Sequence, residues 1–519
     1  MLKLYNLKKS QFIRFIFFCC VGSLCLLDVV QASERKTIEV LHSDIMSQRV
    51  FEGQTVRILQ GNVELKQDEI IMKCDSAVQF TGRNELEAYG NIHIRQGDSL
   101  HLYGEQLFYD GNERKAIIEN NVRMVEDEME LTTSKLYYEV DEGKAYYYDF
   151  AEITHGDDLL TSYIGYYFSE AKNFEFQDSV RLDNPDFLLK SDTLHYEHPA
   201  SLTRVFGPTI IERKESTDYL YCERGWFDTE NEEGRVYGNP YLWHEYRYIE
   251  ADTMYVKGKD RYAKTIGNIT VKDTAENLNM HGHFAEHFDD MKYTYITDSA
   301  SARQVFEEDT IWIAADTLSS AMDDSMEFHL FRAFNNVRSF NHDFQTTADS
   351  MVYTEYDSML TLYHDPRLFL DSQQISADTI SAKFDGEHLT RMNFLREAFM
   401  ISPVGYDFYN QIKGRTMTGH FRENELRQIE VSGNAESVYF LKDDDERFIG
   451  VNRIEATDIN IMIGERQIQD ITFLREPDAT VYPMGELEPG ELLLRGFNWN
   501  PEIIPHKPAD LFKEQFLVQ

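Results

Sequence analysis

The sequence predicts an all-β protein, a long and repetitive antiparallel β jelly roll with a V-shaped cross-section. Three observations predict it. A Gly-Asn step recurs about every 30 residues, a second step with an acidic residue follows it, and apolar residues alternate with polar ones in between. A sustained period of this length is typical of one supersecondary unit stacked many times. We count about thirteen such units.

The Gly-Asn step marks each unit. Its clear copies are Gly61-Asn62-Val63, Gly90-Asn91-Ile92, Asn120-Asn121-Val122, Gly238-Asn239-Pro240, Gly267-Asn268-Ile269, Asn335-Asn336-Val337 and Gly433-Asn434-Ala435. Weaker copies are Asp149-Phe150, Asp178-Ser179, Phe206-Gly207, Asp298-Ser299, Asp365-Pro366 and Glu397-Ala398. Because Gly and Asn tolerate positive φ, we expect tight turns joining strands at these steps.

The second step lies about fourteen residues further on and supplies an acidic residue. It reads Cys74-Asp75, Ser191-Asp192, Ala251-Asp252, Ala315-Asp316, Ala348-Asp349 and Ala377-Asp378. Between the two steps the apolar residues alternate, as Val63 with Leu65 and Ile92 with Ile94 do. A period of two indicates half-buried strands, so each unit should supply two strands of roughly 5 to 10 residues.

A long sheet with one apolar face should fold over on itself, because the open form would leave that face in water. The interior would then be apolar and the exterior charged. Residues 33–300 carry the regular repeats, 301–484 continue them with insertions, and 485–519 form an irregular tail. No Gly-, Ser- or Pro-rich linker separates the first two parts, so they can share one sheet.

The first 32 residues are predicted to be a cleaved signal peptide. Four basic residues precede the uncharged segment 15–27, and Val30-Gln31-Ala32 fits the small-residue rule for cleavage. An uncleaved anchor is the alternative, although the segment is short of the ~20 residues that span a bilayer. Cleavage predicts export to the periplasm.

Charge and cysteine content exclude several classes of protein. The formal net charge is −39, and removing the leader takes it to −42, so nucleic acid is not an expected partner. Aromatic residues make up 13% and apolar residues 42%, which excludes a disordered chain. Outside the leader only Cys74 and Cys222 remain, and we expect two free, mostly buried thiols because several repeats separate them.

With these motifs in view, the sequence resembles the OstA-like family, which includes periplasmic lipopolysaccharide-transport bridge and organic solvent tolerance proteins. The resemblance is best over residues 37–160, in "IEVLHSD", "LQGNVELKQDEIIMKCDSAVQF" and "AYGNIHIRQGDSLHLYGEQLFYD", and favours the long Bacteroidetes-type members. It implies a non-enzymatic carrier without a cofactor, peripheral to the inner and outer membranes, whose interior holds the acyl chains of lipid A.

The residues expected to line that interior follow from the alternation. They are Val63, Leu65, Met72, Val78, Phe80, Ile92, Ile94, Leu102, Phe108, Val122, Met124 and Leu136. A closed, dry core is the alternative interpretation of the same residues. The resemblance also implies that other OstA-like transport components join by strand addition, and the expected docking edge is Thr37, Ile38, Glu39, Val40, Leu41 and His42.

Two other functions stay open from the sequence alone. One is a structural or adhesive exported β-repeat protein with a closed core. The other is a polysaccharide-active enzyme, which needs a pair of carboxylates in a cleft, although no pair stands out. No catalytic motif is present.

Three local clusters have an ordinary structural interpretation beside a functional one. His281, His283 and His287 should share one face of a strand and could hold a metal ion, although an ordinary repeat is the simpler interpretation. Residues 443–445 are three aspartates that fit a solvated loop better than a calcium site. The aromatic runs at 146–150 and 163–168 fit core and rim better than a sugar platform.

Overall fold

In the part of the chain that the structure describes, thirty-six β-strands form one antiparallel sheet. The computed structural model describes residues 37–512 except 52, 198–199, 229, 245, 276, 307–308, 323–328, 371, 387 and 465–466. The predicted signal peptide lies outside the described residues. The all-β fold predicted from the repeats is confirmed, and the sheet runs without a break across residue 300.

The strands follow one another along the chain with short connections. The first eighteen are β1 Glu39–His42, β2 Ile45–Phe51, β3 Gln54–Gln67, β4 Ile70–Phe80, β5 Glu85–Gln96, β6 Leu100–Asp110, β7 Lys115–Glu126, β8 Met129–Glu139, β9 Lys144–Tyr147, β10 Ala151–His155, β11 Asp158–Ser162, β12 Ile164–Phe168, β13 Asn173–Asp183, β14 Phe187–Glu197, β15 Leu202–Arg213, β16 Tyr219–Asp228, β17 Glu233–Tyr237 and β18 Tyr241–His244.

The remaining strands are β19 Arg247–Glu250, β20 Thr253–Lys257, β21 Tyr262–Asp273, β22 Leu278–Phe288, β23 Tyr293–Val305, β24 Thr310–Met322, β25 His329–Phe340, β26 Phe344–Thr354, β27 Met359–Tyr363, β28 Arg367–Leu370, β29 Gln373–Ser376, β30 Thr379–Asp385, β31 His388–Gly405, β32 Phe408–Arg422, β33 Glu425–Lys442, β34 Phe448–Gly464, β35 Gln467–Leu474 and β36 Asp478–Pro483. Short 3₁₀ turns follow at Pro489–Leu492, Pro501–Ile503 and Pro508–Phe512.

Six of the seven clear Gly-Asn steps lie inside strands, so the prediction that they join strands as turns is wrong for these six. Gly238-Asn239 lies between β17 and β18, which pair with the two halves of β16. In β3 the pairing with β4 passes from Gln60 opposite Ser76 to Val63 opposite Cys74. Two residues, Gly61 and Asn62, therefore face one residue of β4, and their φ angles are 75° and 48°. This is a β-bulge, where positive φ is as useful as in a turn. Because pairing continues through it, the strands from β3 to β8 have 11 to 14 residues, more than predicted.

The acidic residue of the second step contacts the bulge of the next strand. Asn91 Nδ2 donates a 2.8 Å hydrogen bond to Asp75 Oδ2, and Asn268 Nδ2 lies 3.0 Å from Asp252 Oδ2. A Cβ on Gly90, which has a φ of 74°, would lie 2.4 Å from Asp75 Oδ2. The two sequence landmarks therefore form one structural feature, a row of corners at which the strands bend.

Each long strand contributes one half to each of two layers that meet at these corners. The first layer contains residues 63–67, 70–74, 92–96, 100–104, 122–126 and 129–133, and the second contains 54–60, 76–80, 85–89, 106–110, 115–119 and 135–139. Some strands are split at the corner: β9 and β10 pair with the two halves of β8. One apolar cluster fills the space between the layers along the sheet.

The chain after β36 covers the outer face of the last strands. Leu494 is 3% exposed and packs with Phe399, Ile401, Val438 and other side chains in a second apolar cluster, separate from the interior. The buried Gln411 donates to the Leu492 carbonyl at 2.9 Å and accepts from Leu494 N at 2.8 Å. Further along, Arg338 donates to the Leu511 carbonyl. The predicted irregular tail therefore packs on the sheet.

Candidate functional site: the interior, the rims and the edge strands

The interior between the layers is apolar and tightly filled. Leu59, Ile118, Met124 and Leu136 are each fully buried. Charged side chains lie on the outer face, where Arg123 and Glu130 form an ion pair at 2.6 Å. The protein is therefore amphipathic across the sheet, with an apolar inside and a charged outside.

Nine of the twelve predicted lining residues point into this interior. Eight of them are buried, and Ile94 is half-buried and packs on the cluster. The buried eight are Val63, Leu65, Met72, Ile92, Leu102, Val122, Met124 and Leu136. Their contact with a lipid stays a prediction.

Val78, Phe80 and Phe108 lie on the outer face, so their placement in the lining was wrong. Phe108 is 39% exposed, and Val78 and Phe80 are half-buried outside the apolar cluster. The alternation shifts by one residue at the acidic step: Met72 and Cys74 point inward, and after it Ala77 and Gln79 do. At this position two bulge residues of β3 lie opposite one residue of β4. The prediction was wrong because it extended the period of two in β4 through this position, where the face changes.

The hairpin tips form two rims, one at the open end of each layer. The first rim contains the tips at 68–69, 97–99 and 127–128, and the second contains those at 81–84, 111–114 and 140–143. Positive φ angles at Asp68, Gly97 and Asp127 fit these short connections. Each of these three tips of the first rim carries at least one acidic residue.

Three hydrogen bonds join the rims across the mouth of the jelly roll. Tyr109 OH donates to Gln67 Oε1 at 2.5 Å, and Tyr138 OH donates to Gln96 Oε1 at 2.7 Å. Tyr167 OH donates to Glu126 Oε2 at 2.6 Å. We call these three pairs the rim contacts.

The rim contacts are largely shielded from water. Burial raises the pKa of Tyr138 to about 12, and burial together with the hydrogen bond to Glu126 raises the pKa of Tyr167. Two ion pairs reinforce them at the tips, Arg114 with Asp68 at 3.3 Å and Lys172 with Asp127 at 3.1 Å.

The sequence reasoning missed these tyrosines, although a signal was present. Tyr109, Tyr138, Tyr167 and Tyr196 are each the penultimate residue of a strand and recur every 29 residues. The partners of the first three are Gln67, Gln96 and Glu126, the last residues of β3, β5 and β7, which follow one another after 29 and 30 residues.

A small apolar cavity of about 60 Å³ lies beneath the first two rim contacts. Its lining includes Leu65, Met72 and Leu102 of the predicted stripe, together with Tyr109 and Tyr138. A cavity of about 150 Å³ holds a benzene molecule, so this one is too small for an acyl chain while the rims are joined.

The predicted docking edge is one half of an edge made of two strands. β1 pairs with the first-layer half of β3, and β2 pairs with its second-layer half. Among the described residues neither strand pairs on its other side. β2 carries Ile45, Met46 and Val50, which are 58%, 55% and 74% exposed. At the other end β35 and β36 both pair with β34, and Val481 is 59% exposed.

The histidine cluster does not share one face, which corrects that prediction. His281 and His283 are exposed outside, whereas His287 lies on the inner side and its Nδ1 is 2.8 Å from Thr294 Oγ1. The alternation shifts within β22, where Gly282 and then Ala285 are buried. Within the described residues, no group of three or more His, Cys, Asp or Glu side chains could hold a metal ion.

The other polar clusters have structural roles. Asp443 accepts hydrogen bonds from the main chain of Asp445 and Arg447, which fits the solvated loop. Cys74 and Cys222 are free and buried, as predicted, and burial raises their thiol pKa values to about 11 and about 12. No helix in the described part of the chain is long and apolar enough to cross a bilayer.

The aromatic runs divide between the two faces. Tyr147 and Tyr167 point inward and are buried, whereas Tyr146 and Tyr166 stand outside with their ring centroids 6.0 Å apart. Lys144 Nζ lies 5.4 Å from the centre of the Tyr146 ring. The runs therefore supply core on one face and a packed outer ladder on the other.

Comparison with known proteins finds a family and solved structures that are similar to this chain. Residues 35–192 match the family described as OstA-like protein. The chain is similar to the crystal structure of LptH from Pseudomonas aeruginosa, the LptA-homologous periplasmic component of a lipopolysaccharide transport device, at 13% identity and a TM-score of 0.21, covering 27% of this chain and 95% of that one. No curated protein matches the sequence. The resemblance that the repeats indicated is confirmed for the amino-terminal part, since residues 35–192 match the model of the OstA-like family.

Proposed function

We propose that the protein is a non-enzymatic periplasmic carrier, a bridge component in lipopolysaccharide transport and outer-membrane assembly. The observation that carries the proposal is the amphipathic cross-section, in which a continuous apolar interior runs between two layers under a charged exterior. Acyl chains need such an interior to leave a membrane, because exposing their surface to water is costly. The OstA-like match over residues 35–192 supports the same role.

Photo-crosslinking tests the interior as the lipid site. A photoreactive residue at Ile92, Ile94 or Met124 should crosslink lipopolysaccharide in the native envelope. Phe108 and His93 are the matched controls, because they lie on the same strands as inner residues and face outward. Crosslinks from the controls alone would overturn the proposal.

We propose further that the two ends of the sheet bind other OstA-like transport components. Unpaired strand edges offer main-chain donors and acceptors, and the exposed apolar side chains of β2 add area for a partner strand. A photoreactive residue at Met46 or Val481 should then crosslink to another protein, whereas one at Tyr406, on a hairpin tip and 87% exposed, should not. Equal crosslinking from all three positions, or from none, would contradict edge pairing.

The tight filling of the interior favours a second candidate, a structural or adhesive protein with a closed core. The cavity of about 60 Å³ is its supporting observation. Under this alternative no lipid reaches Met124 at any lipid concentration, so the same crosslinking experiment decides between the two functions.

A further inference from the structure

We propose that the rim contacts form a latch that opens to admit an acyl chain into the small cavity beneath them. The inference rests on the proposed function and deepens it, because it names where the chain enters and which residues control access. The ligand class is an amphiphile with a hydrocarbon chain and a polar head that can form hydrogen bonds.

The position of the contacts supports this role. They cross from one layer to the other at the open side of the jelly roll, opposite the corners where the layers are covalently continuous. Gln67, Gln96, Tyr109 and Tyr138 all line the cavity, so the first two pairs form its polar roof. Parting them would connect the apolar lining with the outside.

The chemistry of the pairs suits repeated opening. The first two contacts join tyrosine to glutamine, and the third joins Tyr167 to the carboxyl group of Glu126, each through one hydrogen bond. The net contribution of such a bond to stability is modest, because water or a ligand can replace the partner. A bound amphiphile would place its chain below the rims and its polar head between the tyrosine hydroxyls and the Gln and Glu side chains. The corners can act as hinges, since each clear Gly-Asn step has two residues at positive φ.

Among the described residues, the three rim contacts lie in the repeats that precede β16. Tyr196 of β14 continues the series, and burial and the nearby Asp158 raise its pKa. The penultimate residue of β16 is Phe227 and that of β20 is Val256, and neither carries a hydroxyl group. The three rim contacts therefore lie within the OstA-like region, residues 35–192.

The test compares uptake rates. With a photoreactive residue throughout at Ile94, which lines the cavity, purified lipopolysaccharide is added to three chains. They are the exported chain, a latch variant with Tyr109→Phe, Tyr138→Phe and Tyr167→Phe, and a control variant with Tyr137→Phe, Tyr146→Phe and Tyr166→Phe. The control removes three hydroxyl groups from the outer face. The latch variant should crosslink about tenfold faster, because three closing hydrogen bonds are lost, and the control should match the parent chain.

A second variant on the first rim guards against effects on folding. Gln67→Leu with Gln96→Leu removes the acceptors and leaves the tyrosines, and it should also accelerate uptake. Equal rates in all chains would overturn the latch and leave the proposed function standing. The absence of Ile94 crosslinks in every chain would overturn the proposed function and the latch with it.

Discussion

The amino-terminal repeats, β3 to β14, differ from the carboxyl-terminal strands, β31 to β36, in what covers the outer face of the sheet. Strands β3 to β8 have 11 to 14 residues, keep their outer face in solvent, and join their layers at the rims through tyrosine hydroxyls. Strands β31 to β34 have 15 to 18 residues and carry the tail on their outer face.

Burial patterns record this difference. In the amino-terminal repeats one side chain in two is buried, whereas Ala398, Phe399, Met400 and Ile401 are buried in succession. Met400 faces the interior, and Phe399 and Ile401 face the tail. A strand buried on both faces loses its period of two. The same repeat can therefore form strands whose outer face stays in solvent and strands whose outer face is covered by the tail.

Removing the tail contact should have the largest effect on stability. Leu494→Ala should cost about 2–5 kcal/mol, because a buried leucine leaves a cavity between the tail and the sheet. Hydrogen exchange of β31 to β34 measures it, since opening should be local in a repeat protein. Leu493→Ala is the control, because Leu493 is 37% exposed. Equal protection in both variants would show that the tail does not clamp these strands.

The corners should be more sensitive in the amino-terminal repeats than in the carboxyl-terminal strands. Gly90→Ala adds a Cβ 2.4 Å from Asp75 Oδ2 at a φ of 74°, whereas a Cβ on Gly433 would meet Arg415 Cβ at 3.1 Å. We expect about 1–3 kcal/mol for Gly90→Ala and less for Gly433→Ala. Chemical denaturation of each variant measures it.

Gly97→Ala separates strain from crowding in that experiment. Gly97 lies on a hairpin tip with a φ of 64°, and no atom lies within 4 Å of its added Cβ. It should therefore lose only the conformational part, about 1 kcal/mol. A loss as large as that of Gly90→Ala would mean that contact with Asp75 contributes nothing.

The repeat, the all-β class and most of the interior could be predicted from the sequence. Alternation identifies which of two neighbours points inward wherever pairing is regular, as at Val122 and Met124. The location of the turns could not be predicted, because positive φ at Gly61 and Asn62 suits a bulge and a hairpin equally well. Val78 and Phe108 were misplaced because the alternation of their strands shifts by one residue at the acidic step, which lies opposite the bulge of the neighbouring strand.

The burial of the outer face of the carboxyl-terminal strands could not be predicted from the sequence either. Nothing near Phe399 indicates that residues about 95 positions later will cover it, since that contact is made by an irregular segment without a period. The rim contacts were within reach, because their tyrosines repeat every 29 residues. A search for single residues that recur with the period, in addition to the Gly-Asn step, would have found them.

Removing one hydroxyl of the latch should have the smallest effect. Tyr138→Phe keeps the buried ring and deletes the hydrogen bond to Gln96, so we expect a loss of about 0.5–1.5 kcal/mol at neutral pH. Tyr137→Phe, on the neighbouring outward position, should be close to neutral. Denaturation of the two variants under identical conditions measures the difference, and a larger loss for Tyr137→Phe would contradict the assignment of faces.

Stability at alkaline pH tests the burial of the Tyr138 hydroxyl group. Burial raises the pKa of Tyr138 to about 12, whereas a tyrosine in the unfolded chain ionises near 10. Between these values the unfolded state releases a proton that the folded state keeps, so stability from this group is full below pH 10 and falls as the pH rises toward 12. Tyr138→Phe should therefore lose less stability than the parent chain over that range. An identical slope in both would show that the rim admits water to Tyr138 even when the latch is closed.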